Sequence, residues 1–327
     1  QCGGSEGAEG MEISFAEALE KHKPLEEYPK SDLHVHAGRG GSQEFIMERT
    51  GKRIKSRCSP FMSLEDMQLW FEEEIKSSCR GMEGYLLRLE GAFARAAEEH
   101  IKVLCMEFGY GELIQLGNIQ DFIRLTEALR KKYCPDTIFC PELAIGWECP
   151  AEEALRQLEE LLPYHWICSL DLCNRELAQP AKNFVPLYRT AKENGLCLRA
   201  HAGEFGTAED VREAVEVLEL DEVQHGIAAA ASPQPMYFLK DNHICLNLCP
   251  TSNIMLGRSG DYKTYPIRLF YDYGVPVTIN TDDMLIFNSS VSREYRMLYD
   301  SGCMKPEELD TIRQFGLRKG LRMNLLI

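Results

Sequence analysis

Eight short apolar or β-branched runs, set between longer stretches with helical spacing, constrain this chain more than any single residue does. The runs cover residues 32–36, 103–108, 138–145, 166–172, 197–201, 222–225, 244–248 and 275–280. Amphipathic stretches separate most of them, including 82–100, 119–133, 151–162 and 208–218. Parallel strands need right-handed crossovers, so alternating strands and helices imply a parallel sheet. Eight such units predict an α/β fold, a (β/α)8 TIM barrel. The 327 residues could otherwise hold two average domains; the unbroken alternation favours one domain over residues 11–327.

Two segments stand outside that pattern. Residues 43–80 are too long for a strand-to-helix loop, and Phe45, Ile46, Phe61, Leu64, Leu69, Trp70 and Phe71 suggest short helices there. We expect a helical lid inserted after strand 1, over the barrel mouth. Residues 1–10 are Gly- and Glu-rich without an apolar stretch, and read as a disordered leader or expression remnant. The apolar finish Leu325-Leu326-Ile327 suggests that a last helix is missing from this sequence.

The charge balance narrows the partners. Thirty-six basic against 51 acidic residues give a formal charge of −15. That argues against nucleic-acid tracking and a polybasic membrane patch, and for a small-molecule substrate. No run is long and apolar enough to cross a bilayer. Of the 13 cysteines, Cys105, Cys140, Cys168, Cys197, Cys245 and Cys249 lie in strand-like runs, where a thiol serves as a small hydrophobe. Without a Cys-x-x-Cys pair or a secretion signal, a reducing cytoplasm is the expected location. Oligomerisation is left open.

The motif residues fall at the C-terminal ends of the strand runs, which form the active-site face of such a barrel. His34 and His36 close the first run, two positions apart, so both imidazoles project from one face. His201 closes the fifth, His225 the sixth, and Asp282-Asp283 follow the eighth. Imidazoles and a carboxylate are zinc ligands, and a catalytic zinc keeps one position for water. His34, His36, His201 and Asp282 are the expected ligands of one Zn2+ per chain. Glu204, His225 and Asp283 are left around the water. Gly203 permits the sharp turn that returns Glu204 to the metal, where a partly dry pocket raises a carboxyl pKa and suits it to acid catalysis. Thr207 with Asp210 caps the following helix and leaves Glu204 free of that task. Gly226 would allow close approach of substrate or water beside His225. The remaining histidines, His22, His100, His165 and His243, read as structural or solvated.

These segments resemble the adenosine deaminase family of the amidohydrolase superfamily. The matching motifs are Leu33-His34-Val35-His36, His201-Ala202-Gly203-Glu204, His225-Gly226, Cys249-Pro250-Thr251-Ser252-Asn253 and Asn280-Thr281-Asp282-Asp283, in the family's order. The run from Leu285-Ile286-Phe287 to Glu294-Tyr295 is similar as well, and the likeness covers residues 30 to 320. The resemblance implies zinc-dependent deamination of adenosine or deoxyadenosine to inosine or deoxyinosine. In that scheme zinc-bound hydroxide attacks purine C6, Glu204 protonates N1, and His225 positions the hydroxide. Asp282 is both ligand and catalytic residue, and Asp283 contacts N7. The His-x-Glu and Pro-Cys-x-x-Cys pattern of cytidine-type deaminases is absent, as are the phosphate-binding loop and the nucleophile elbow.

Two departures bear on the substrate. The family usually carries Asp, in contact with ribose, where this chain has Gly38 followed by Arg39. Its fourth-strand Asp-Leu-Ala-Gly-Asp-Glu is replaced by Asp171-Leu172-Cys173-Asn174-Arg175-Glu176. Asn174 would offer its backbone N–H where the family's Gly touches purine N3. Asp283, Asn174, Gly38 and Gly203 are thus the expected substrate contacts, with Arg39 and Arg175 facing solvent rather than an anionic group. The alternatives are a deaminase of adenine, a modified adenosine or another aminated heterocycle, and a catalytically weak nucleoside-binding member.

Overall fold

Alternation within each strand sorts side chains between the barrel's lumen and its helical coat. The computed structural model describes residues 13–324. Its strands are β1 (Lys30–His36), β2 (Ile101–Gly109), β3 (Ile138–Gly146), β4 (Ser169–Cys173), β5 (Cys197–Ala202), β6 (Glu222–His225), β7 (Cys245–Leu248) and β8 (Val277–Ile279). They follow one another in sequence order, each parallel to the next. The ring closes beyond β8, where Asp282 N–H donates to the His34 carbonyl (2.9 Å) and His36 N–H to the Asp282 carbonyl (3.3 Å). The (β/α)8 barrel is the fold the alternation implied.

Outward residues such as Leu104, Met106 and Phe108 of β2, or Leu198, Ala200 and Ala202 of β5, join the main apolar core with the helices. Inside, Leu33, Val103, Cys105 and Cys140 form a small apolar plug with Leu317. Beyond it the lumen turns polar, where such barrels usually stack Val, Ile and Leu. Arg199 is fully buried between Glu142 (3.1 Å) and Glu222 (2.8 Å), and Lys319 adds a second cation to Glu222 at 2.5 Å. Asn247 donates to Glu222 and Gln224. Buried charges persist only when paired in this way.

The fourth run is shifted. The expected strand 166–172 is Ser169–Cys173, and Trp166 instead packs in the coat on Phe108, Phe122 and Phe139. Within 43–80 the helices are Gln43–Thr50 and Leu64–Trp70, the latter running into a wider turn at Phe71–Ile75. Ile46, Ile54, Phe61, Met67, Phe71 and Ile75 bury themselves against Leu256 and Leu285–Phe287, residues that follow β7 and β8. The insertion thus packs on the segments that follow β7 and β8. Residues 1–10 and 325–327 lie outside the described residues. Among the described residues no helix is long and apolar enough to cross a membrane.

Candidate active site

Strand ends from opposite sides of the ring bring the four motif histidines together. The His34 ring centre lies 5.1 Å from His36, 4.8 Å from His201 and 5.2 Å from His225. Asp282 Oδ1 stands 3.1 Å from His36 Nε2 and 3.5 Å from His34 Nε2. His225 and Asp282 adopt left-handed backbone (φ 63° and 62°). Non-glycine residues rarely do so, and such strain concentrates at functional sites.

The expected ligands fall into overlapping clusters whose donor atoms lie within 4.8 Å of one another. One joins His34, His36, Glu107 and His201; another joins His34, His225, Cys249 and Asp282. His34 Nε2 and His225 Nε2 are buried without a hydrogen-bond partner. Such orphaned nitrogens are costly unless an ion or water meets them. The electrostatics ask for a cation too: against its own burial, His36 is pushed up to about 10 by Glu107, Asp283 and Asp282. Imidazole and carboxylate donors, orphaned nitrogens and this pull on positive charge together fit a divalent ion such as zinc.

Carboxylates behind the histidines fix their orientation. Glu107 Oε1 lies 2.8 Å from His34 Nδ1 and its Oε2 3.1 Å from His36 Nδ1. Asp171 Oδ2 lies 2.7 Å from His201 Nδ1. Pairing Nδ1 with a carboxylate leaves Nε2 as the metal-facing lone pair. Ser252 Oγ donates to Asp282 Oδ2 at 2.7 Å.

Glu204 sits on a turn clamped from behind. Gly203 has φ 73°, and Glu176 accepts the N–H groups of Gly203, Glu204 (3.1 Å) and Phe205 (2.9 Å). The next helix starts at Ala208 under a Thr207–Asp210 capping box, so Glu204 is outside it. Burial, then the charges of Asp282 and Glu176, push its carboxyl well above the usual range. Its Oε2 lies 3.6 Å from His225 Nε2. His225 Nδ1 is 3.1 Å from Asn253 Nδ2, whose own oxygen accepts Tyr265 O–H at 2.7 Å. From this network we assign hydrogen to His225 Nε2, and burial keeps the ring neutral.

Asp283, next to Asp282, is held from one side only. Its Oδ2 accepts from Arg39 at 3.1 Å, while its Oδ1 is buried without a partner. Arg39 is half-buried rather than free in solvent: a carboxylate and Gln68 hold it, and it lies 5.3 Å from the Phe71 ring centre. Arg175 is exposed, as expected. Gly38 and Asn174 line a cavity of about 280 Å3 that also touches His36 and Glu107. Asn174 has φ 68° and is exposed, with Nδ2 3.4 Å from Glu148. Both backbone polar groups of Gly203 are engaged inside the protein, N–H with Glu176 and carbonyl with Ala228. Gly226 (φ 70°) also serves packing, since a Cβ there would meet Leu246 at 2.7 Å. His22, His100, His165 and His243 are exposed at helix ends.

Sequence reasoning gave no role to Glu107, Asp171 or Glu176. The first two carry one usable signal, a lone acid near the C-terminal end of an apolar strand run. Glu176 shows only as the closing Glu of the fourth-strand segment that resembles the family, and nothing there reveals its task, which is defined by backbone folded beside it.

The sequence model of the adenosine deaminase family matches residues 143–321. A putative adenosine/adenine deaminase of Treponema pallidum is 28% identical over 276 residues, covering 83% of this chain and 92% of its own. The adenine deaminase of Arthrobacter aurescens superposes with a TM-score of 0.74 at 21% identity, over 93% of this chain and 97% of that one. An amidohydrolase from Burkholderia ambifaria, solved with bound zinc, gives 0.72 at 19% identity, over 96% and 90%. These structural likenesses speak for the fold, and the family match covers more than half of the chain. The chain belongs to the adenosine deaminase family of hydrolytic deaminases.

Proposed function

We propose that this enzyme deaminates adenosine and deoxyadenosine, releasing ammonia and leaving inosine or deoxyinosine. The observation that carries the reading is Glu204, a buried carboxyl 3.6 Å from His225 Nε2 beside the histidine–Asp282 cluster, where burial pushes its pKa well above the usual range. Hydrolysis at purine C6 needs an acid for ring N1 and an activated water at C6. A divalent ion held by His34, His36, His201 and Asp282, with zinc the best match to that donor set, would lower the pKa of a water to about 7. Glu204 gives its proton to N1 as water adds to C6, and its carboxylate takes up the proton that the adding water sheds. His225 directs Nε2–H at the same space, orienting the water and stabilising charge on its oxygen. Asp283, whose pKa burial raises, bears a proton on its unpartnered Oδ1 and donates it as a hydrogen bond to purine N7. The proton lost by the added hydroxyl goes to the departing amino group; the C6–N bond breaks and C6 keeps a carbonyl.

Ammonia release from adenosine, deoxyadenosine, adenine, adenosine monophosphate and N6-modified adenosines tests the reading. Glu204→Gln should retain metal and substrate binding while kcat falls by at least about 100-fold, the usual contribution of a positioned acid. Near-normal turnover in that variant would remove Glu204 from the mechanism. A second reading, free adenine as substrate, is favoured by Gly38, which offers no side chain to a sugar.

A further inference from the structure

Resting on the deaminase reading, we propose that Glu112 recognises the hydroxylated N9 substituent of the substrate, so that the site takes nucleosides in preference to free bases or 5′-phosphates. The cavity that reaches the histidine cluster through His36 and Glu107 is also lined by Gly38, Tyr85 and Glu112. A Cβ on Gly38 would come within 3.0 Å of Glu112 Oε1 and 3.1 Å of the Tyr85 ring. The space a side chain at position 38 would fill is thus occupied by a carboxylate from another strand end. Glu112 reaches it from the short helix Tyr110–Ile114, which follows β2.

The placement is built from several sides. Glu112 Oε2 accepts the Gly109 N–H at 2.6 Å, which leaves Oε1 toward Gly38. Tyr85, 5% exposed, packs against Glu112, and its hydroxyl is buried. Arg88, 4% exposed, fixes the facing backbone by donating to the carbonyls of Gly38 (2.6 Å) and Cys79 (2.8 Å). A carboxylate held this way is a pre-oriented acceptor.

Its chemistry selects the ligand. The purine ring has no hydroxyl, whereas ribose and deoxyribose carry hydroxyls that donate to a carboxylate at little cost. A phosphate dianion would meet repulsion from Glu112 and Glu107. The nearby cations are already engaged: Arg39 with Asp283 and Gln68, Arg88 with backbone carbonyls, and Lys76 with Glu72 at 2.6 Å. Bound free base would leave Glu112 facing water only.

The test compares wild type, Glu112→Gln and Glu112→Ala as zinc-loaded full chains. kcat/KM is measured for adenosine, adenine and adenosine monophosphate, with calorimetric binding of inosine and hypoxanthine alongside. Loss of one charge-assisted hydrogen bond should lower adenosine kcat/KM and inosine affinity by about 10- to 100-fold in Glu112→Ala, with adenine and hypoxanthine changed less than about 3-fold. Glu112→Gln keeps an oxygen for the Gly109 N–H, and serves should the alanine variant fail to fold. Equal losses on adenosine and adenine, an unchanged adenosine value, or wild-type preference for adenine or the monophosphate would each overturn the inference. Absence of ammonia from every purine would overturn the deaminase reading instead. Inosine calorimetry would then decide Glu112 alone: weakened binding in the variants supports it, unchanged binding overturns it.

Discussion

Replacing Glu176 with glutamine probes how the acid is held, because that one carboxylate accepts three successive backbone N–H groups, those of Gly203, Glu204 and Phe205. Glutamine has a single acceptor oxygen. If it keeps Glu204 and Phe205, its NH2 group faces the buried Gly203 N–H, which loses its partner. Hydrogen bonds to a charged group contribute about 1.5–3 kcal/mol and neutral ones about 0.5–1.5, so two bonds weaken by about 1 kcal/mol each. The orphaned N–H adds about 2 kcal/mol. Glu176 is half-buried and water relieves part of this, which leaves about 2–4 kcal/mol. At about 2 °C per kcal/mol for a chain of this size, Tm should fall by about 4–8 °C. The same substitution removes one of the negative charges that raise the Glu204 pKa, after burial and Asp282. That pKa then falls, the acid form disappears at lower pH, and the alkaline limb of kcat/KM moves toward acid. Thermal melts and pH–rate profiles read both effects, with metal content unchanged. A Tm within about 1 °C of wild type, together with an unmoved alkaline limb, would refute the clamp.

Two other perturbations follow from the same structure. His34→Ala and Asp282→Ala should each lose the metal ion on dialysis, measured by elemental analysis; full retention would sink the ligand assignment. Against its burial, Arg199 and Lys319 draw Glu222 from the ordinary 4.5 to about 2, so the pair supports the fold above pH 4.5 and fails as pH falls toward 2. That shift corresponds to about 3 kcal/mol. Glu222→Gln should flatten the acid side of the stability curve between those pH values, and parallel melting curves for the two proteins would discount the pair.

The barrel was legible because its coat-facing residues, such as Leu104, Met106 and Phe108, leave an apolar trace in each strand. The histidines were legible because few such residues occur and theirs stand at strand ends. The interior network was not. Glu142, Arg199, Glu222 and Asn247 pair across β3, β5, β6 and β7, and no local pattern reveals a partner on another strand. Trp166 misplaced the fourth strand because a large apolar residue reads alike in the sheet and in the coat. Arg39 was assigned to solvent because its partner Asp283 lies across the closing seam.

That seam has a consequence for the order in which the protein is finished. The backbone bonds that join the first strand to the last belong to His34, His36 and Asp282, the residues that also present donors to an ion. During synthesis the two histidines emerge with the first strand and wait for a carboxylate supplied after the eighth. A half-made barrel offers an incomplete cage. A barrel slipped by one residue at the seam turns the carboxylate to the other face. Tight metal uptake is therefore a receipt for correct closure: an ion that stays bound marks a barrel whose first and eighth strands have met in register.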